Sequence, residues 1–135
     1  MALIIDASVA IKWFIDEPGS DPARRLWRDE PDLLAPDLII PEVCNAAWRK
    51  VRLGESHPAQ AKEIAVRLRQ GMVEFRPTAP LAARAIGLAL DLDHPVYVCF
   101  YLALAEAERA VLVTADRRLE GRLRNTPWGA AVRTL

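Results

Sequence analysis

LIID at residues 3–6 and VLVTAD at residues 111–116 decide the fold, because each is a short apolar run followed at once or nearly so by an aspartate. Apolar runs without polar alternation predict strands of a parallel sheet that is covered on both faces. Parallel strands present their carboxyl ends at one edge, where ligands gather in open α/β sheets. We therefore expect Asp6 and Asp116 to meet there. Carboxylates without a neighbouring cation repel one another, so a hard cation such as magnesium or manganese is expected between them, an ion that suits phosphate chemistry.

Helical and strand patterns alternate between these two segments. Ser8 is the expected N-cap of a first short helix, and a long helix is predicted from Asp37 to Leu53. Further strands are predicted at 33–35 and 72–75, and further helices at 21–28, 59–70, 79–90, 97–109 and 116–123. This alternation predicts an α/β domain with a mainly parallel central sheet. With 135 residues, 52% of them hydrophobic, the chain suits a single domain, residues 1–135.

The charge balance excludes a protein that binds nucleic acid through bulk positive charge, because 18 Lys and Arg offset 18 Asp and Glu. Residues 46–90 are locally basic, so a local patch remains available for a polyanion. Cys44 and Cys99 are isolated from each other and from histidines at zinc spacing, and we expect buried, reduced thiols. No apolar span of about 18 residues occurs. We therefore expect a cytoplasmic protein with no membrane partner.

Glu42 is the third acid of interest, because it lies early in the helix from Asp37 among residues that would otherwise be core. Taken alone, it fits a solvent-facing glutamate near a helix N-terminus, where the helix dipole favours negative charge. In combination with the two aspartates that follow strands, it becomes a candidate site residue.

Four segments, in this order and at this approximate spacing, resemble a PIN domain and specifically the VapC-type toxin ribonucleases: LIIDASVAIKWF (3–14), PEVCNAAW (41–48), HPVYVCFYLALAE (94–106) and VLVTADRRL (111–119). The resemblance implies a three-layer α/β/α PIN-like domain and a magnesium- or manganese-dependent endoribonuclease that hydrolyses RNA phosphodiester bonds. It also implies a cognate antitoxin that neutralises the protein, and a homodimer. Matched motif by motif, it points to Asp6, Glu42 and Asp116 as catalytic acids, with Ser8 and Thr114 as supporting hydroxyls.

In this interpretation Asp6 and Asp116 hold the metal, and Glu42 holds or orients the attacking water. Basic side chains that are candidates to contact RNA phosphates are Lys12, Arg49, Arg117 and Arg118. Arg118 could equally pair with acids of its own chain.

Val98 departs from the family pattern, because the family usually has an acid directly after the tyrosine of this segment. A hydrocarbon side chain cannot bind a hard cation. Glu106 cannot replace the missing acid, because eight helical residues place it about 12 Å further along the helix and roughly 80° around it. Asp91 and Asp93, in the preceding turn, are more mobile candidates. Either the site is naturally weakened, or the acid was removed by mutation.

Two functions from different classes follow. The first is a VapC-like ribonuclease, and the second is a PIN-fold module that binds antitoxin and RNA but cleaves poorly because of Val98. The sequence lacks the motifs of three other α/β protein classes. A phosphoaspartyl hydrolase needs a second acid where Ser8 stands, a receiver domain needs an acidic pair and a late lysine, and a dinucleotide-binding fold needs a Gly-x-Gly-x-x-Gly turn.

Overall fold

The central element is a five-stranded sheet, seen in a computed structural model that describes all residues from 1 to 135. Every strand pairs in parallel, in the order β3-β2-β1-β4-β5. The strands are β1 (Leu3–Ile5), β2 (Leu33–Pro36), β3 (Glu74–Arg76), β4 (Val111–Thr114) and β5 (Val132–Thr134). The prediction of a mainly parallel sheet in an α/β fold is therefore confirmed.

The strand order reverses between β1 and β4. The chain moves from β1 outward through β2 to β3, then returns across the sheet to β4 on the other side of β1. Ile5 is in register with Val113, so the residues that follow these two strands emerge side by side. Ligand sites of open α/β sheets form outside the carboxyl ends of the strands at such a reversal. The topology thus places the carboxyl ends of the two apolar runs side by side.

Seven α-helices cover the sheet. They are α1 (Ala7–Phe14), α2 (Ser20–Asp29), α3 (Ile39–Arg52), α4 (Pro58–Arg67), α5 (Ala82–Leu92), α6 (Val96–Glu108) and α7 (Arg117–Leu123). Right-handed crossovers place α1–α4 on one face and α5–α7 on the other. In agreement, α1 packs on α2 and α3, whereas α6 packs on α5 and lies across β1, β2 and β4. The molecule is a three-layer α/β/α structure.

The core lies on both faces of the central strands. Ile4, Ile5 and Leu112 are fully buried, as the runs without polar alternation predicted. No single helix has the length and apolarity needed to cross a membrane. The helical segments 79–92 and 96–108 have that length and apolarity only when taken together, and the chain bends by 116° between them.

Three local expectations were wrong. Asp6, not Ser8, is the N-cap of α1, and its side chain accepts a hydrogen bond from the Val9 N–H. The first turn of the predicted helix 79–90 is a 3₁₀ turn over Ala79–Leu81. Strand β5 was not predicted, because a three-residue edge strand with one buried position carries no apolar run.

Candidate active site

Asp6 lies between the end of β1 and the start of α1, and its carboxylate is held by neighbours in its own turn. Its Oδ1 accepts a hydrogen bond of 2.6 Å from the Ser8 hydroxyl and one of 3.2 Å from the Val9 N–H. The residue is only 8% exposed. The strand-to-helix turn therefore fixes the position of a buried carboxylate at the sheet edge.

Ser8 and Thr114 join the end of β1 to the end of β4. The Ser8 hydroxyl oxygen accepts from the Ala115 N–H at 2.9 Å and lies 3.3 Å from the Thr114 hydroxyl. The Thr114 hydroxyl accepts from the Asp116 N–H at 3.0 Å. The two predicted supporting hydroxyls thus connect both turns that carry the aspartates.

Glu42 lies in the first turn of α3 and contacts the opposite layer through Tyr101 of α6. The Tyr101 hydroxyl donates a 2.7 Å hydrogen bond to Glu42 Oε1. Burial raises the pKa of Glu42, while this hydrogen bond lowers it. Burial and the Glu42 charge also raise the pKa of Tyr101, so the phenol stays protonated and remains a donor.

Asp6 and Glu42 are called the acid pair below, because the charge of Glu42 acts on the Asp6 carboxyl. Burial raises the pKa of Asp6 against the opposing effect of its hydrogen bonds, and the Glu42 charge raises it further. Neither acid forms an ion pair with any Lys, Arg or His of the chain. The acid pair is a concentration of negative charge that the protein does not itself neutralise.

Asp116 is the N-cap of α7. Its Oδ1 accepts from the N–H groups of Arg118 and Leu119 at 2.9 and 3.3 Å. Unlike Asp6, Asp116 is exposed. Its backbone belongs to the hydrogen-bonded turn beside Asp6, while one of its carboxylate oxygens is used by the start of α7.

This capping predicts that Asp116→Ala and Asp116→Asn differ in stability. Asparagine caps helices as well as aspartate does, whereas alanine leaves the N–H groups unpaired at a cost of about 1 kcal/mol. Thermal unfolding of metal-free protein should show a lower melting temperature for Asp116→Ala only. Equal melting temperatures for the two variants would show that the cap contributes nothing to the fold.

Val98 lies in the first turn of α6, one turn before Tyr101. It is partly buried and packs against the hydrophobic core. Glu106, further along the helix, forms an ion pair with Arg84. Asp93 has a left-handed backbone at the end of α5.

A groove of about 400 Å³ opens beside Glu42, between α3 and the start of α6. Its polar or aromatic lining includes Glu42, Asn45 and Arg49 of α3 and Tyr97 of α6. Of the four basic residues considered for RNA contact, Lys12 forms an ion pair with Glu17. The other three form none, and Arg49 is the one that lines the groove.

The donors at this edge fit a hard divalent cation. Carboxylates and hydroxyls are the oxygen ligands such ions prefer, and a cation would offset the repulsion within the acid pair. No three His, Cys, Asp and Glu side chains lie close enough together to hold one ion directly. At most two of these side chains can therefore bind one ion directly, and water is the ordinary source of the other ligands for magnesium.

Tyr101 and Asn45 were not identified from the sequence. Tyr101 lies in an apolar helical run, where an aromatic residue is expected in the core. The available signal for Asn45 was its spacing of three residues from Glu42, which places both on one helix face.

A family profile described as PIN domain matches residues 3–122 of this chain. A curated relative, ribonuclease VapC3 of Pyrobaculum aerophilum, is 31% identical over 121 residues, which cover 88% of this chain and 92% of the relative. Solved structures with low sequence identity to this chain share its fold.

PAE2754 from Pyrobaculum aerophilum has a TM-score of 0.71 and 24% identity, covering 90% of this chain and 79% of that one. A toxin–antitoxin complex from Klebsiella pneumoniae has a TM-score of 0.70 and 18% identity, covering 99% and 97%. Mycobacterium tuberculosis VapC20, a toxin that cleaves the sarcin-ricin loop, has a TM-score of 0.72 and 15% identity, covering 89% and 94%.

Proposed function

This chain belongs to the PIN domain family as a VapC-type member, and from that premise we propose that it is a toxin that hydrolyses RNA phosphodiester bonds with magnesium or manganese. The observation that carries the proposal is the acid pair. Asp6 is buried beside Glu42 at the reversal of strand order, and no cation of the protein neutralises either one. A site of this kind suits a bound metal that meets a phosphate.

The relatives supply the biological context of the proposal. One is named a ribonuclease, another a sarcin-ricin loop cleaving toxin, and a third is part of a toxin–antitoxin complex. We extend these properties to this chain as a single PIN domain over residues 1–135. On this proposal its partners are an RNA substrate, a cognate antitoxin that neutralises it and a second copy in a homodimer, and it acts in the cytoplasm.

Asp6 and Glu42 would hold the metal directly, and Asp116 is the third catalytic acid of the proposed site. When bound, magnesium or manganese would polarise the phosphate and lower the pKa of water. Ser8 donates a hydrogen bond to Asp6, which orients that carboxylate and favours its ionised form. Glu42 uses Oε1 to accept from Tyr101, which leaves Oε2 to accept a proton from water or to orient it.

Tyr101 is a positioning residue in this mechanism, and Tyr101→Phe tests that role. Loss of one hydrogen bond to a charged group, about 1.5–3 kcal/mol, should lower kcat roughly tenfold or more and leave KM within about twofold. Because the tyrosine lowers the pKa of Glu42, its removal should also move the acid limb of the pH–rate profile to higher pH. A purely structural role predicts neither the shift nor a selective fall in kcat.

The second candidate is a PIN-fold module that binds antitoxin and RNA with impaired catalysis. Val98 favours it, because a hydrocarbon stands where the family carries a further acid. The absence of three acids grouped around one point is in keeping with weak metal affinity.

A thermal titration with manganese tests the proposed function against this alternative. A ligand that binds only the folded state raises the melting temperature in proportion to the logarithm of its concentration above Kd. The ribonuclease should be stabilised by manganese and should cleave a mixed RNA pool over the same concentration range. A protein that binds RNA but shows neither metal effect would be the binding module.

A further inference from the structure

The exposed face of α3 beside the acid pair carries a row of polar side chains. Glu42, Asn45 and Arg49 are spaced by three and four residues and therefore point to the same side of the helix. Tyr97, at the start of α6, faces them across the groove of about 400 Å³. At 1.5 Å per residue, Arg49 lies about 10 Å along the helix from Glu42.

None of the three groups beyond Glu42 has a partner within the protein. Tyr97 lines the groove and is 61% exposed. Arg49 forms no ion pair, whereas Lys50 beside it contacts both Glu17 and Glu55. Neither Asn45 nor Arg49 uses its side chain in an intramolecular hydrogen bond, whereas Glu42 on the same face of α3 accepts one from Tyr101. A stacking surface, an amide and a guanidinium are therefore all free in one groove.

We propose that this groove binds the single-stranded nucleotides next to the scissile phosphate. Tyr97 stacks on a base, Asn45 pairs with the edge of that base, and Arg49 binds a phosphate further along the strand. The inference rests on the proposed function and adds to it the residues that would position RNA and favour one base over another.

The dimensions and the charges favour RNA as the occupant. About 10 Å corresponds to roughly three stacked nucleotides at 3.4 Å each. A base flanked by phosphates needs an aromatic face and cations, and an amide presents a donor and an acceptor in the spacing of a base edge. A basic protein segment attracted by the acid pair would meet repulsion from Arg49. One turn beyond, Arg52 lies over the Trp48 ring at 5.2 Å and continues the cationic and aromatic character of this face.

Binding measured without cleavage isolates these contacts. Fluorescence anisotropy of labelled oligo(A), oligo(C) and oligo(U) hexanucleotides in EDTA would be recorded over a series of KCl concentrations. The acid pair is the same in every variant, so differences report on the three side chains alone. All three are exposed, and unchanged melting temperatures would show that the variants keep the fold.

Each variant has its own expected signature. Tyr97→Ala should weaken binding about tenfold without changing the salt dependence, and Tyr97→Phe should bind like the parent. Arg49→Ala should lower the slope of log Kd against log salt by about 0.7, the value for one phosphate contact in a single strand. Asn45→Ala should reduce the difference in affinity among the three oligonucleotides by about tenfold.

Arg69→Ala is the matched control, since Arg69 is an exposed arginine without an ion pair outside the groove. It should change neither affinity nor salt slope. If the parent binds and cleaves RNA and the groove variants match it, the inference is wrong, the proposed function survives, and a protein segment becomes the better occupant of the groove. If the parent neither binds nor cleaves RNA, the proposed function fails and the inference fails with it.

Discussion

Asp6→Asn is expected to abolish RNA cleavage and to leave the metal-free protein at least as stable as the parent. Changing residues that only support metal ligands typically costs 10–100-fold, so removing a ligand carboxylate should lower cleavage by more than about 100-fold. The fold should not suffer, because asparagine is an equally good N-cap and its oxygen can still accept from the Val9 N–H.

The stability difference between Asp6→Asn and the parent should grow with pH. Burial and Glu42 raise the pKa of Asp6 in the folded state, so between the unfolded and folded pKa values the folded protein binds more protons. The parent therefore loses stability as pH rises through the raised pKa of Asp6. The asparagine side chain does not titrate. The stability of Asp6→Asn relative to the parent should therefore be lowest in acid and should reach its highest value at neutral pH.

Melting curves from pH 4 to pH 8, together with cleavage of a labelled RNA pool, measure both effects. Asp21→Asn is the matched control, because Asp21 is exposed in the first turn of α2 and forms no ion pair. It should leave cleavage unchanged. A large fall in melting temperature for Asp6→Asn would show that the carboxylate holds structure instead of metal.

Val98→Asp is expected to tighten magnesium or manganese binding and to raise metal-dependent cleavage. The position lies in the first turn of α6, where the helix dipole favours negative charge. It is one turn before Tyr101, whose hydroxyl contacts the acid pair at Glu42. An aspartate there would bring a further carboxylate toward the acid pair, and affinity for a hard cation grows with the number of charged oxygen ligands.

The cost of this change should appear only without metal. A further carboxylate beside the acid pair adds repulsion, so metal-free Val98→Asp should melt below the parent and recover when manganese is added. Val98→Asn is the control for the charge, because asparagine has nearly the size of aspartate and an oxygen ligand but carries no charge. The aspartate variant should also be more toxic to the cell that produces it. Equal metal affinity and cleavage in parent and Val98→Asp would show that Asp6, Glu42 and Asp116 suffice.

The sheet and the strand-end acids were predictable because the signal lies within a few consecutive residues. An apolar run followed by an aspartate defines both the strand and its functional end, as at Asp6 and at Thr114 to Asp116. Glu42 was predictable as a charge in an otherwise apolar helical turn. Its partner Tyr101 was not, because the contact joins residues 59 positions apart and tyrosine fits the buried face of α6 equally well.

The remaining misses have the same origin. Ser8 and Asp6 are both good N-caps, and the chain passes from β1 into α1 with no intervening residue other than Asp6, so the aspartate takes the role. Three of the eight basic residues at 46–90 form ion pairs with acids that are distant in the sequence. Arg76 pairs with Glu108 and Arg84 with Glu106, and only the fold brings these groups together.

We propose that Asp6, Glu42 and Asp116 form one metal-dependent ribonuclease site. The most direct test is the initial rate at which the parent cleaves a uniformly labelled RNA pool as manganese is raised from zero, in EDTA, to millimolar concentrations. A metal-dependent site should give no cleavage in EDTA, a rate that rises and saturates with manganese, and no response from Asp6→Asn. Cleavage that continues unchanged in EDTA, or RNA binding without cleavage at every manganese concentration, would contradict it.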